Sequence, residues 1–276
     1  MTESAQYPRL AFIGAGNMAR SIIGGLLQEG YPAERISASD RAADTLEQMA
    51  TDFGINTGEN QAIARAAEVV VLAVKPQVLR GVAEDLRPAL EHKPLIMSIA
   101  AGIDGASLSQ WLGEDQAIVR CMPNTPSLVK TGASGLYANA HTSAEQRAAA
   151  EQIMSAVGLV QWLDNEDLIN AVTAVSGSGP AYFFLVMEAM IDAGVDLGLE
   201  REAATELTLQ TALGAARLAQ SSEVGVDELR RRVMSPGGTT EVAIQSFEQD
   251  QLRATFKRAM DACAQRSVTL SRELAQ

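Results

Sequence analysis

Leu10-Ala-Phe-Ile-Gly14-Ala-Gly16-Asn-Met-Ala19-Arg-Ser-Ile-Ile-Gly-Gly-Leu-Leu27 is the stretch that decides the fold. Four apolar residues, too few for a helix, run directly into two glycines one residue apart. From Ala19 the apolar positions Ile22, Ile23, Leu26 and Leu27 fall at helical spacing. The order is strand, tight turn, helix, with the G-x-G-x-x-A form of the dinucleotide fingerprint at the junction. Gly14 permits the sharp turn out of the strand. Gly16, lacking Cβ, lets a pyrophosphate approach the backbone, and Ala19 is small enough for the helix to lie close to the strand. The N–H groups of the first helical turn, at the positive end of the helix dipole, then face the phosphates. An ordinary glycine turn is the plain alternative.

Alternation continues for about half of the 276 residues. Glu34 to Ser39 reads as a second strand ending at Asp40-Arg41, followed by a helix over 42–53 and a turn over Gly54 to Gly58. Asn60 to Ala67 reads as a short helix. Glu68 to Val74 is an unbroken apolar run, the pattern of a parallel strand buried on both faces, and it stops at Lys75-Pro76. Further strands are expected at Pro94–Ile99, closed by Ala100-Ala101-Gly102, and at Ala117–Cys121, with helices over Val78–Leu90 and Ser107–Leu112 between. Strands alternating with helices over short connections mean an α/β fold with a Rossmann-like doubly wound sheet. Strands are also expected at Gly135–Ala138 and Leu159–Leu163, around a helix from Ala144 to Val157 that opens on the capping pair Ser143 and Gln146.

From Glu166 the chain reads as all helix: Ala181–Leu197 behind Pro180, Glu200–Gln220, Asp227–Val233, Thr240–Glu248 and Gln251–Glu273. The expected division is a nucleotide-binding domain over 1–164 and an all-α domain over 165–276. Tyr182 to Ile191 is apolar on nearly every face, and a helical domain of about 110 residues rarely buries such a helix alone. Either a partner subunit covers it, or it is the central helix of its own bundle.

Composition narrows the function. The chain is 47% hydrophobic and 20% charged, with a formal net charge of −12 and no basic stripe, which argues against nucleic acid as a partner. No run of about 18 apolar residues calls for a membrane. The first residues, Met-Thr-Glu-Ser-Ala-Gln-Tyr-Pro, lack the basic and apolar regions of a signal peptide, so a cytoplasmic location is expected. Cys121 and Cys263 make neither a disulfide framework nor a metal spacing. The two histidines, His92 and His141, lie in polar stretches and read as solvated. No nucleophile elbow or metal-ligand cluster appears.

Met234-Ser-Pro-Gly-Gly-Thr-Thr-Glu241 is a second glycine turn opening a helix. It offers backbone N–H groups, Gly237 and Gly238 among them, and the hydroxyls of Ser235, Thr239 and Thr240 to an anion. A well-capped helix start is the alternative; beside a nicotinamide domain the turn looks like a carboxylate cradle. The corner at residues 39–41 is ambiguous too. Asp40 stands where a carboxylate holds the ribose 2′-OH of NAD, while Ser39 and Arg41 suit the 2′-phosphate of NADP.

Phe12-Ile-Gly-Ala-Gly-Asn-Met-Ala19, Leu72-Ala-Val-Lys-Pro76, Arg120-Cys-Met-Pro-Asn-Thr-Pro126, Ser176-Gly-Ser-Gly-Pro-Ala-Tyr182 and Ser235-Pro-Gly-Gly-Thr-Thr240 occur in one chain, in this order. Together they strongly resemble the Δ1-pyrroline-5-carboxylate reductase family, the last enzymes of proline biosynthesis. The resemblance covers essentially the whole chain. It implies a Rossmann domain followed by a helical dimerisation domain, assembly as an obligate homodimer and commonly a decamer, and NADPH or NADH as hydride donor, with NADPH expected here from Arg41. It also implies cofactor contacts at Ile13, Gly14, Ala15, Gly16, Asn17 and Met18, at Asn60, at Ala73, Val74, Lys75 and Pro76, and at Ala100 and Ala101. Substrate contacts are implied at Glu166, Thr239 and Thr240, with Ser235 nearby. Asp40 departs from the uncharged residue common in the family.

The chemistry agrees with the lack of a strong base. Reducing a C=N bond needs a hydride and a proton on nitrogen, and a pyrroline nitrogen can take its proton from water. Positioning and a hydrogen bond suffice, and Thr240 is the candidate donor. Alcohol dehydrogenation must remove a hydroxyl proton. The related β-hydroxyacid dehydrogenases carry a lysine in the corresponding helix, and Ala181 to Leu197 contains none. A reductase of another cyclic imine shares every motif, and a non-catalytic NAD(P)H sensor is the contrasting reading.

Overall fold

The computed structural model describes residues 7–274; Met1 to Gln6, read above for a leader, lie outside the described residues. The described residues form two compact units, one running up to Ser178 and resuming at Cys263, the other spanning Gly179–Ala262. The first unit therefore reaches past the last strand and includes the chain's closing residues, whereas the sequence division lay at 164/165.

The first unit is built on one eight-stranded sheet. Its strands are β1 (Leu10–Ile13), β2 (Ile36–Ser39), β3 (Asn56–Thr57), β4 (Val69–Leu72), β5 (Leu95–Ser98), β6 (Ile118–Met122), β7 (Gly132–Ala138) and β8 (Gly158–Trp162). They lie in the order β3-β2-β1-β4-β5-β6-β7-β8. All neighbouring pairs are parallel except β6 and β7, which run antiparallel with Cys121 opposite Leu136. Successive side chains on a strand point to opposite faces. Leu10, Phe12, Val71 and Met97 accordingly enter one core, and Ala11, Ile13, Val70 and Ile96 the other. Both faces are covered, which is why β1 and β4 are apolar at every position and buried throughout.

The helices of this unit are α1 (Asn17–Gln28), α2 (Ala43–Phe53), α3 (Asn60–Ala66), α4 (Pro76–Leu86), α5 (Gly105–Leu112), α6 (Ala144–Ser155) and α7 (Leu168–Val172), the last continued by a wider π turn over Thr173–Gly177. Ile22, Ile23 and Leu26 of α1 pack on the first core with Ile153 and Met154 of α6. Leu79, Val82 and Leu86 of α4 pack on the second with Leu108 and Trp111 of α5. Two details differ from the sequence reading. Residues 56–57, expected as a turn, add a short edge strand to β2, and β7 begins at Gly132 rather than Gly135.

The second unit is helical: α8 (Gly179–Asp196), α9 (Arg201–Ser221), α10 (Val226–Arg232), α11 (Thr239–Gln249) and the first part of α12 (Leu252–Leu274). Helix α8 is not the buried centre of a bundle. Phe183, Phe184 and Leu185 are 68%, 62% and 65% exposed, which removes that alternative and leaves an apolar surface needing a cover. Against the expectation that no stretch is apolar enough to suggest a membrane, the helical run Leu168–Asp196 is by length and composition alone apolar enough to cross one.

Candidate active site

The sheet places the first group of expected residues along one edge. Ile13 pairs with Ser39 on one side and Leu72 on the other, and Leu72 pairs with Ser98. The loops leaving β1, β2, β4 and β5 therefore emerge side by side at the carboxyl ends of the strands. The chain reverses direction across the sheet between β1 and β4, which is where nucleotides bind such folds. Backbone bonds knit the edge: Gly14 N–H donates to Ser39 O at 2.8 Å and Ala73 N–H to Ile13 O at 2.8 Å.

Gly14 has φ +104°, a left-handed conformation, and a Cβ there would stand 2.7 Å from Ala73 O. Around Gly16 the same test meets only open space, so an incoming group can reach the backbone. Gly16 is also the N-cap of α1, with no side-chain cap and no acidic residue in the first turn. The N–H groups of Asn17 and Met18 thus have no intrahelical acceptor and no competing carboxylate, the state a pyrophosphate requires. Lys75 is exposed at the cap of α4, whose first residue is Pro76, with Ala73 and Val74 half-buried before it. Asn60 opens α3 two residues beyond Gly58, whose N–H donates to Ala38 O at 3.1 Å. Ala100 is buried and Ala101 exposed in the turn after β5.

At the ambiguous corner, Ser39 is 3% exposed and its hydroxyl points back towards Phe12 O at 3.4 Å, so its side chain faces the core. Arg41 is exposed. The Asp40 carboxylate accepts from Ala15 N–H at 2.7 Å and from Ala42 N–H at 2.9 Å.

Glu166 lies with a set of groups the sequence did not connect. Its Oε1 accepts from Arg120 Nη1 at 2.7 Å and from Gly105 N–H at 2.6 Å, at the start of α5. Asp104 caps the same helix through Ser107 N–H at 2.8 Å. Burial opposes the charge on Asp104, yet the bonds from Ser107 and the positive charge of Arg120 outweigh it and hold the carboxyl below its usual value. Ser271 of α12 approaches Asp104 at 3.4 Å. Arg120 stood in a quoted motif without a role. Its partners come from distant parts of the chain, and no local spacing announces them. Asn124 of the same motif joins two others, donating to Ser176 O at 3.0 Å and accepting from Ala133 N–H at 2.9 Å.

In the second unit, Ser235 to Thr240 forms the expected turn into α11. Gly237 is left-handed at φ +69°, and Gly238 is the N-cap. Two donors of the turn are already engaged. Gly238 N–H donates to Ser235 O at 2.9 Å, and Gly237 N–H to the Glu241 carboxylate at 2.6 Å. Thr239 and Thr240, in the first turn of α11 and exposed, keep N–H groups without an intrahelical acceptor. The role of Glu241 was missed: an acidic residue at the third helical position signals a back-bond to the N-cap N–H, and here it reaches one residue further, to Gly237.

Outside these groups, the histidines and Cys121 read as the sequence suggested. His141 is exposed, and His92 is exposed with Nε2 2.8 Å from Ala67 O. Cys121 is buried, which pushes its thiol pKa far up, and it is no nucleophile.

Comparison with known proteins adds to this geometry. A family model described as pyrroline-5-carboxylate reductase dimerisation matches residues 166–270, and one described as NADP oxidoreductase, coenzyme F420-dependent, matches residues 9–102. The chain is 58% identical over 270 residues to a pyrroline-5-carboxylate reductase of Pseudomonas aeruginosa, covering 98% of this chain and 99% of that protein. A pyrroline-5-carboxylate reductase of Arabidopsis thaliana is 37% identical, covering 95% of each chain. Among solved structures, a pyrroline-5-carboxylate reductase from Coxiella burnetii superimposes with a TM-score of 0.93 at 47% identity, over 96% of this chain and 98% of that one. The Plasmodium falciparum pyrroline carboxylate reductase with NADP bound does so at 0.84 and 29% identity, over 96% and 98%.

Proposed function

The chain belongs to the pyrroline-5-carboxylate reductase family, and from that premise we propose how its residues reduce 1-pyrroline-5-carboxylate to L-proline, the closing step of proline biosynthesis. The cofactor is a reduced nicotinamide dinucleotide, which when bound supplies the hydride for the imine carbon. The observation that carries its placement is the start of α1: a glycine-led, uncapped helix end beside the β4 loop at the carboxyl edge of the sheet. Within Gly14 to Met18, the N–H groups of Asn17 and Met18 would hold the pyrophosphate, and the glycine turn would let it approach the backbone. Ala73 to Pro76, Ala100 and Ala101 would line the nicotinamide side, and Asn60 the adenosine side. We assign the preference for NADPH to Arg41, whose guanidinium is free to make a charge-assisted contact with a 2′-phosphate; Ser39 supports it through its backbone alone.

The substrate carboxylate would lie on the Thr239 and Thr240 N–H groups at the positive end of α11, with Ser235 at its edge. The Thr240 hydroxyl then donates to the ring nitrogen as the imine becomes an amine, and water supplies the proton. Glu166 serves the substrate from a distance, by fixing the start of α5 and the turn that precedes it.

The exposed apolar face of α8 lies in the matched dimerisation region, so a second copy of the chain, not lipid, is its proposed cover. Assembly of dimers into a decamer and a cytoplasmic location complete the reading, the first supported by the family resemblance and the second by two unpaired cysteines. The test is oxidation of NADPH by 1-pyrroline-5-carboxylate with stoichiometric appearance of proline. NADPH consumed only with a six-membered imine carboxylate would move the enzyme to that substrate.

A further inference from the structure

At the cofactor edge, Asp40 occupies the position from which a carboxylate would grip a ribose hydroxyl, but both of its oxygens are already engaged within the protein. Oδ2 accepts from Ala15 N–H at 2.7 Å and Oδ1 from Ala42 N–H at 2.9 Å. The first bond crosses from the β2 loop to the glycine turn. The second closes a two-residue Asx turn around Arg41 and so fixes the backbone that carries its guanidinium. Ala15 is buried, and its N–H, held by the Asp40 carboxylate, is not offered to a phosphate.

We propose that Asp40 is a positioning residue that braces the glycine turn against the Arg41 turn, setting the distance between the pyrophosphate site and the 2′-phosphate site. The proposal rests on the reading that the dinucleotide lies on the start of α1. It explains how an acidic residue coexists with Arg41: the carboxylate is turned to two backbone donors, and charge-assisted bonds to N–H groups spread its charge into the turn. It also changes what a substitution should do. A ribose-gripping Asp40 would matter to NAD alone, and its removal would favour NADP by relieving repulsion. A bracing Asp40 matters to both.

Asp40→Ala and Asp40→Asn distinguish the two. Calorimetric titration with NADP⁺ and NAD⁺ should give dissociation constants raised about tenfold for both dinucleotides in Asp40→Ala, the size expected when charged hydrogen bonds that order a loop are lost. Asp40→Asn, which keeps one acceptor, should fall between that variant and the parent. Amide hydrogen exchange in the dinucleotide-free protein gives a second readout, with Ala15 N–H exchanging about tenfold faster in Asp40→Ala as its acceptor is removed. Weakened NAD⁺ binding with unchanged or tighter NADP⁺ binding would overturn the proposal, as would unaltered exchange at Ala15. Should Asp40→Ala not fold, the ratio of the two constants in Asp40→Asn decides. If the unmodified protein binds neither dinucleotide, the cofactor reading fails, and exchange at Ala15 still reports on the brace.

Discussion

Replacing Glu166 by alanine separates a structural lock from a substrate contact. In the structure one oxygen, Oε1, takes both Arg120 Nη1 at 2.7 Å and Gly105 N–H at 2.6 Å. The Arg120 side chain is only 11% exposed and that of Glu166 29%, so the variant leaves a guanidinium almost wholly out of water without its closest partner. Losing one partner of a fully buried pair costs about 3–5 kcal/mol. Glu166 is partly solvated and Asp104 still faces Arg120, so about half of that, roughly 2 kcal/mol, is expected. In a unit of this size that lowers Tm by about 4–8 °C. The assay is thermal unfolding of both proteins at one protein concentration, because association also moves Tm. Glu166→Gln, which retains an acceptor, should lose less. A Tm within about 1 °C of the parent, combined with a raised KM for the imine alone, would refute the lock and restore Glu166 as a substrate contact.

Three further outcomes are expected. Thr240→Ala should lower kcat by about ten- to a hundredfold, or roughly 1.4–2.7 kcal/mol, with NADPH affinity hardly changed and much of the rate recovered in Thr240→Ser. Unchanged kcat with a lower Tm would make Thr240 a structural residue of the helix start. Arg41→Ala should raise KM for NADPH and leave NADH nearly unaffected, and an equal effect on both would remove Arg41 from 2′-phosphate recognition. The Asp104 carboxyl has its folded pKa below its unfolded one, so its stabilisation is complete above about pH 4 and is lost as pH falls through the folded value. Asp104→Asn should accordingly show a shallower loss of stability in urea melts between about pH 5 and pH 3, and parallel acid limbs would contradict this.

The parts of the molecule that could be read from the chain are those decided by local pattern. Leu10 to Ala19 announced strand, turn and helix because strand length, glycine spacing and helical periodicity all lie within one segment. Val69 to Leu72 was legible because a strand buried on both faces has to be apolar throughout. Asn56-Thr57 was not, since two polar residues carry no periodicity and become a strand only through their bonds to β2. Gly132 to Ser134 likewise lacks apolar alternation and is held by its register with β8. At the site, the turns at Gly14–Met18 and Ser235–Thr240 were visible as glycine motifs. The pairings Asp40–Ala15 and Arg120–Glu166 were not, because each joins segments that only the strand order brings together.

The central claim is delivery of a hydride to the imine carbon of 1-pyrroline-5-carboxylate. Its most direct test supplies the enzyme with NADPH carrying deuterium in place of both hydrogens at C4 of the nicotinamide and examines the product by mass spectrometry and NMR. The account predicts L-proline carrying one deuterium, at the ring carbon next to nitrogen that was the imine carbon. Proline without that label, or cofactor oxidised with no proline formed, would contradict it.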